Sequence, residues 1–515
     1  MQGRRTRQGR GLAAAVFAIG VLVLATSCSS GGDGGDGGDS GDSGEAAART
    51  SRGDRVAAPT VTGPITGGQH GVPFNPLPVR LAEEFDYAED EYFVEGEATA
   101  YLPDGTSPWA DDGVWPATPA GSAPYTTRIL VRRPTDAAAF NGTVLVEWLN
   151  VTVGMDADPN FGLGHRELLR SGYAWVGVSA QVGGIEGGGG LQIDIPGIEI
   201  EPLKPWDPER YGSLAHPGDD YSYDLFSQVA QVVRRPGALD PLEGLDVERV
   251  IAAGESQSAM RMVTYVNAVH PLADIYDGFL IHSRGGSAAG INEAAPDAIP
   301  AVAHVRQDLD DPVLQFQTET DIFGILGFGP ARQPDSDTLR TWEVAGTAHA
   351  DQSTLDYAVE SGREWNTTAE VDFSSLCGPI NDGPQTYVLR AAIAALNDWV
   401  AGGDPPPEAP PIETEGEAVV RDEHGNAVGG IRTPAVDAPV SAVTGDSDPG
   451  ESIICVLFGG VTPFDARMLA SLYPTHRDYV EAVADAADAA VDAGFLLPAD
   501  RDEIVDAAED APVPE

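Results

Sequence analysis

The stretch that most constrains the fold is residues 250–261, where an apolar run enters a helix through a turn that carries a serine. Residues 250–253 are apolar and predict a short buried strand. The chain turns at Gly254-Glu255-Ser256 and continues as a helix. Such a turn exposes the serine hydroxyl, and small residues on both sides let strand and helix pack closely. Ser258 stands where a second glycine is more usual, so the spacing alone is a weak signal.

Other apolar runs predict that this strand belongs to a parallel sheet. Residues 142–150 and 173–179 are nearly all apolar, which is typical of buried central strands, and a helix is predicted between them. A strand, a helix and a strand at this spacing predict a βαβ unit and hence an α/β fold. Further strands are predicted at 91–101, 125–134, 277–282, 311–321 and 339–349, and further helices at 221–235, 387–400 and 478–493.

Three predicted strands end in residues suited to nucleophilic catalysis. One leads to Ser256, the next of the three ends in Glu319 and Asp321, and the last ends in His349. The carboxyl ends of parallel strands lie at one edge of a sheet, so these side chains are expected to converge there. His349 would take the proton of Ser256, and a carboxylate would hold the imidazole. Asp321 is favoured over Glu319 because it lies further past its strand, but both remain candidates.

A site of this kind also needs two N–H donors for the oxyanion of the tetrahedral intermediate. One is predicted at Gln257, the residue after the serine. The other is predicted in the loop after strand 142–150, near Asn150 and Val151. His282 precedes the acid in the chain and is interpreted as a packing or pocket residue.

The order serine, acid, histidine is the order found in α/β-hydrolases. The sequence also resembles bacterial α/β-hydrolase-domain proteins that carry Gly-Glu-Ser-Gln-Ser at this turn. The resembling stretches outside the turn are 140–151, 207–212, 221–224, 277–286 and 429–434. The resemblance covers most of the chain after residue 55. It implies the α/β-hydrolase fold, with a mostly parallel central sheet flanked by helices, and a serine hydrolase. One large domain, 56–515, is therefore expected, with insertions near 181–222 and 401–450.

The reaction expected from this set of residues is hydrolysis of a small carboxylic ester through an acyl-enzyme intermediate. An acyltransferase on the same triad and a non-catalytic surface binding protein on the same fold remain alternatives. No Cys/His spacing typical of zinc is present, so no metal or cofactor is expected. The formal net charge of −50 argues against nucleic acid as a partner, because phosphates would be repelled.

The N-terminus predicts export. Residues 1–28 combine an arginine-rich start with an apolar stretch too short for a comfortable membrane span. Leu24-Ala25-Thr26-Ser27-Cys28 resembles a lipobox, in which Cys28 is lipidated. Residues 29–55 are rich in Gly, Asp and Ser and predict a disordered tether. We therefore expect a lipoprotein on the outer face of the cytoplasmic membrane, held by Cys28 alone, or a secreted protein with an ordinary cleaved signal.

The sequence has two cysteines outside the signal region, Cys377 and Cys455. In an exported protein these two are able to form a disulfide bond. Two buried free thiols are the alternative.

Overall fold

Nine strands form a single central sheet, and its edge organises the rest of the chain. The computed structural model describes residues 51–105, 107–188, 201–364, 373–383, 385–447 and 453–513. Residues 1–28, with Cys28, and residues 29–50 lie outside the described residues. In chain order the strands of the sheet are β1 (Thr60–Thr62), β2 (Tyr87–Pro103), β3 (Ala117–Pro134), β4 (Thr143–Trp148), β5 (Ala174–Val178), β6 (Arg249–Glu255), β7 (Gly278–His282), β8 (Val313–Thr318) and β9 (Leu339–Val344).

The strands are arranged in the order β1-β2-β3-β5-β4-β6-β7-β8-β9. From β5 to β9 all neighbours are parallel, whereas β1, β2 and β3 are antiparallel to their neighbours. Strands β4, β5, β7 and β8 are buried along their whole length, because helices cover both faces of the parallel part. The predicted fold class, an α/β-hydrolase fold with a mostly parallel central sheet, is confirmed.

Helices and short helical turns connect and cover the strands. They are α1 (Val79–Phe85), α2 (Pro159–Arg170), α3 (Val182–Glu186), α4 (Leu203–Trp206), α5 (Pro208–Tyr211), α6 (Ser222–Arg234), α7 (Gln257–Thr264), α8 (His270–Ala273), α9 (Gln352–Glu364), α10 (Phe373–Cys377), α11 (Gln385–Val400), α12 (Pro434–Asp437), α13 (Ala466–Leu472), α14 (His476–Asp492) and α15 (Pro498–Asp510). No helix in the described part of the chain is long and apolar enough to cross a bilayer.

Alternate residues of the central strands pack in two separate hydrophobic cores, one on each face of the sheet. Val144 and Val146 of β4 pack in the cluster that contains residues of α6 and α7. Leu145, between them, packs in a second cluster with residues of α2 and α11. Successive side chains of a strand point to opposite faces, so one apolar strand supplies both layers.

The two antiparallel strands β2 and β3 are longer than the sequence predicts. Their pairing runs from Tyr87 opposite Pro134 to Pro103 opposite Ala117. The first half of β3 is largely exposed and contains Pro119 and Pro124. Prolines and exposed small residues conceal a strand from a prediction based on apolar periodicity.

The segments predicted as insertions contain more regular structure than their composition suggests. Of 181–222, the described part forms α3, α4 and α5, and Leu203, Trp206 and Tyr211 are buried. Of 401–450, the described part forms two short strands, β10 (Thr414–Glu415) and β11 (Ala418–Val419), then α12 and β12 (Ser441–Thr444). Strand β12 pairs with β13 (Gly460–Pro463).

Residues 51–55, which the sequence predicts as the end of a disordered tether, make specific contacts in the structure. Arg52 forms ion pairs of 3.1, 3.1 and 2.7 Å with Asp274, Asp277 and Asp311, respectively. The backbone N–H of Gly53 donates to the carbonyl of Asp274 at 2.7 Å. Residues 51–55 therefore pack against the domain. Composition did not reveal this, because charge pairing rather than apolar burial holds the segment.

Candidate active site

Ser256 occupies the turn between β6 and α7 in a backbone conformation that non-glycine residues rarely adopt, with φ 57° and ψ −117°. A Cβ atom on Gly254 would lie 2.7 Å from the carbonyl oxygen of Ser258 and 2.8 Å from Cγ of Met262. Only glycine fits there without a shift of the helix. Strain of this kind is kept at functional sites, where it presents a side chain in a fixed direction.

The structure brings the three sequence-predicted groups into one hydrogen-bonded series. His349 Nε2 lies 2.9 Å from Ser256 Oγ, and His349 Nδ1 lies 2.8 Å from Asp321 Oδ1. The other Asp321 oxygen accepts the backbone N–H of Thr318 at 2.7 Å. All three side chains sit beyond the carboxyl ends of parallel strands, β6, β8 and β9. The arrangement can pass a proton from the serine hydroxyl to the imidazole.

Glu319, the other candidate acid, has different partners. Its carboxylate accepts the backbone N–H of Gly346 at 2.9 Å and that of Gly445 at 2.8 Å. It also forms a 2.6 Å ion pair with Arg421. Glu319 thus connects the loop before His349 to the C-terminal part of the chain, and Asp321 is the carboxylate bonded to the imidazole.

The sequence analysis missed Glu255, the residue before the serine. Its Oε1 lies 3.2 Å from His349 Nε2, and its side chain is buried. The Asn150 side-chain amide donates to Glu255 Oε2 and to the Glu255 carbonyl, both at 3.0 Å. The only available signal in the sequence was an acidic residue between Gly254 and Ser256 in the serine turn.

Burial and neighbouring charges change the proton affinities of both groups. Burial alone would lower the pKa of His349, but the carboxylates of Glu255 and Asp321 raise it above its ordinary value. Burial, reinforced by the charge of Asp321, raises the pKa of Glu255 to about 7, although His349 acts in the opposite direction. Two neighbouring groups of the site, Glu255 and His349, therefore both hold a proton to a higher pH than they would in water.

The predicted oxyanion donors are only partly supported. The backbone N–H of Asn150 donates to the carbonyl of Ala157 at 2.8 Å, so it is not available to a substrate. The side chain of Asn150 is engaged with Glu255, as described above. Among the described residues, the backbone N–H groups of Val151 and Gln257 have no hydrogen-bond acceptor. Gln257 and Val151 therefore remain the candidate donors, whereas the N–H of Asn150 is already bonded within its own loop.

His282 has a structural environment, in line with its interpretation as a packing or pocket residue. It ends β7 and is completely buried. Its Nδ1 lies 3.1 Å from the side-chain oxygen of Asn160, and its carbonyl accepts the backbone N–H of Ser256 at 2.9 Å. Burial lowers its pKa to about 4, so the ring is neutral at neutral pH.

A disulfide bond joins Cys377 and Cys455, and the segment that contains Cys455 contacts the loop that carries His349. The backbone N–H of Ala350 donates to the carbonyl of Leu457 at 2.9 Å. Val153, from the loop after β4, and Ala350 both pack against the apolar cluster that contains Cys455. The bond thus joins segments that support both the histidine loop and the predicted oxyanion loop.

The described residues contain no group of three or more His, Cys, Asp or Glu side chains placed to hold a metal ion. The groups found at the site are those of acid–base and nucleophilic chemistry.

Several solved structures are similar to this chain at low identity. A serine hydrolase from Xanthomonas campestris, described as lacking a lid, is 12% identical and has a TM-score of 0.27; the match covers 52% of this chain and 95% of that one. A fungal esterase from Rhizomucor miehei is 11% identical, with a TM-score of 0.28 and coverage of 66% and 99%. A glucuronoyl esterase from Solibacter usitatus is 10% identical, with a TM-score of 0.28 and coverage of 60% and 86%.

No curated protein matches the sequence. The family model described as alpha/beta hydrolase domain, in contrast, matches residues 61–506, which is most of the chain. The same residues include strands β2 to β9 of the sheet, the strained serine turn and the histidine–aspartate pair. The chain belongs to the alpha/beta hydrolase domain family.

Proposed function

We propose that this protein is a serine hydrolase that cleaves small carboxylic esters. The observation that carries the proposal is the series Asp321–His349–Ser256, with contacts of 2.8 and 2.9 Å at the carboxyl edge of the sheet. A serine hydroxyl is a weak nucleophile at neutral pH and needs a base at hydrogen-bond distance. His349 has that position, and Asp321 fixes the tautomer whose Nε2 faces the serine.

In the acylation step, Ser256 Oγ would form a bond to the carbonyl carbon of the ester while its proton moves to His349 Nε2. The tetrahedral intermediate collapses when the bond to the alcohol oxygen breaks. The imidazolium gives its proton to that oxygen, and the alcohol leaves. Water then attacks the acyl-enzyme by the same route and releases the carboxylic acid, which restores the serine.

The negative oxygen of each tetrahedral intermediate needs donors that are already oriented. Gln257 supplies one backbone N–H at the first turn of α7, where helix N–H groups lack acceptors within the helix. Val151, in the loop after β4, supplies the other in this proposal. Gln257 directly follows Ser256 in the chain, and Val151 follows β4, the neighbour of β6 in the sheet.

Hydrolysis of p-nitrophenyl esters of increasing acyl length tests the proposal. Ser256→Ala should lower the rate by about 10³-fold or more, because the nucleophile is lost. Ser258→Ala is the matched control: Ser258 is buried two residues further along, and its hydroxyl has no partner among the described residues. It should keep the wild-type rate. Equal rates for Ser256→Ala and wild type would exclude Ser256 as the nucleophile.

We further propose that the protein is exported and anchored by a lipid on Cys28. The arginine-rich apolar start and the Leu24-to-Cys28 stretch support this proposal. The Cys377–Cys455 disulfide supports export, though not the lipid anchor, because such bonds persist in oxidising compartments.

A further inference from the structure

Glu255 is in contact with the base of the proposed reaction, although the proposed steps do not use it. Its Oε1 is 3.2 Å from His349 Nε2, the same nitrogen that lies 2.9 Å from Ser256 Oγ. One imidazole N–H cannot serve both oxygens equally well. The carboxylate and the serine hydroxyl therefore compete for this nitrogen when it carries a proton.

The position of Glu255 is fixed from the other side by Asn150. The Asn150 amide donates to Oε2, and its own oxygen accepts the backbone N–H of Thr152 at 2.7 Å. Asn150 is also bridged through its backbone to Ala157. The carboxylate is therefore held on the loop after β4 with its second oxygen directed at the histidine, which is a built arrangement rather than a flexible side chain.

The charged and titratable groups around the pair come from each neighbouring strand end. Asp321, after β8, contacts His349 Nδ1 and repels Glu255, whereas His282 of β7 is buried and neutral at neutral pH. Asn150, after β4, is uncharged. The imidazole thus has a carboxylate on each nitrogen. An imidazolium is favoured in this environment because opposite charges within about 4–6 Å stabilise the charged form.

We propose that Glu255 is a positioning residue that acts through His349: it favours a proton on Nε2, which stabilises the imidazolium formed during acylation and, below the midpoint of His349, keeps that nitrogen from acting as a base. The inference rests on the proposed serine-hydrolase function. Below the midpoint of His349 the proton on Nε2 is shared with Glu255, and the nitrogen cannot accept the serine proton. Loss of that proton frees the lone pair for Ser256. Glu255 therefore moves upward the pH below which the site is inactive.

The direction of the His349 pKa shift agrees with this arrangement. The pKa of His349 is raised although burial opposes this shift, and the charge of Glu255 is the largest of the neighbouring contributions that raise it. A base whose pKa is raised remains protonated at higher pH. The acid limb of the activity profile is therefore expected above pH 6.5, the ordinary value for histidine.

The experiment measures the second-order rate of labelling by a fluorophosphonate on the full chain between pH 5 and 9, a reaction that needs no knowledge of the natural ester. For wild type, the rate should fall on the acid side with a midpoint above 6.5. Glu255→Gln should move that midpoint down by about one pH unit, because the charge beside Nε2 is removed. Its plateau rate should fall up to about ten-fold, because the imidazole becomes a weaker base.

Glu319→Gln is the matched control. Glu319 is a buried carboxylate at the same edge of the sheet, but its partners are Arg421, Gly346 and Gly445. It should leave the midpoint unchanged. Glu255→Asp keeps the charge but withdraws it from the ring, so it should move the midpoint in the same direction as Glu255→Gln by a smaller amount. If Glu255→Gln does not fold, Glu255→Asp alone tests the inference.

The outcomes separate this inference from the proposed function. If wild-type protein is labelled but the Glu255 variants have the same pH midpoint as wild type, this inference is overturned and the proposed function is not. A uniform loss of rate at every pH would also overturn it, because that is the result of a purely structural role. Absence of Ser256-dependent labelling in folded wild-type protein would overturn both proposals.

Discussion

Three carboxylates lie near one another at the carboxyl edge of the sheet, and their surroundings give them different roles. Asp321 accepts from the imidazole, Glu255 faces the opposite ring nitrogen, and Glu319 is neutralised by Arg421. Residue type alone does not separate these roles. The direction of each side chain and the partner it meets decide which carboxylate contacts Nδ1 of the imidazole.

The two candidate acids can be separated by substitution. Asp321→Asn should reduce ester hydrolysis by about 10³- to 10⁴-fold, because an amide at this position favours the wrong imidazole tautomer. Glu319→Gln should stay within a few-fold of wild type, since Glu319 does not contact His349. Steady-state kinetics on one p-nitrophenyl ester would measure both. A larger loss for Glu319→Gln than for Asp321→Asn would reverse the assignment.

The sequence predicted Ser256, Asp321 and His349 because each follows a recognisable apolar strand. It could not choose firmly between Asp321 and Glu319, since the partner of Glu319, Arg421, is distant in the chain and carries no motif. It also placed an oxyanion donor on Asn150, whose backbone N–H is used locally by Ala157. Contacts between loops that are distant in sequence are set by the tertiary fold, and no spacing rule reports them.

At the scale of elements, the parallel strands were predictable and the surrounding segments less so. Strands β4 and β5 are continuous apolar runs, which only a sheet covered on both faces accommodates. Glu147 is a buried exception within β4: it accepts the backbone N–H groups of Asn160 and Phe161 at the start of α2. An isolated sequence does not show that a carboxylate in a strand will anchor the N-terminus of the next helix.

The disulfide between α10 and the segment after residue 452 is expected to stabilise the histidine loop. It closes a sequence separation of 78 residues. Replacing both cysteines by serine should lower the free energy of unfolding by about 2–4 kcal/mol. The thermal midpoint of the double variant, compared with that of oxidised and reduced wild type, measures this. Equal midpoints for all three proteins would show that the surrounding contacts hold the loop without the bond.

At the scale of the whole molecule, the sequence predicted the architecture of the domain better than the residue at which the domain begins. The chain carries a formal net charge of −50, from which we expect that it does not bind nucleic acid, because phosphates would be repelled. Arg52 shows that the domain's contacts begin earlier than composition indicates, because three aspartates hold it. The apolar pattern therefore predicted the architecture well but not its N-terminal limit.

The proposed anchor predicts that one cysteine carries lipid. Expressed in a bacterial host supplied with labelled palmitate, the full chain should incorporate the label, and Cys28→Ser should abolish it, because the acceptor thiol is lost. The Cys377→Ser, Cys455→Ser double variant should keep the label. Label retained in Cys28→Ser, or absent from wild type, would contradict lipidation at Cys28 and favour a secreted protein.

The central claim is that Ser256 is an activated nucleophile, and intact-mass and peptide mass spectrometry after fluorophosphonate treatment test it most directly. The account predicts a single adduct on the peptide that contains Ser256 in wild type and in Ser258→Ala, and none in Ser256→Ala. An adduct on another residue, or an unreacted Ser256 in well-folded protein, would contradict the account.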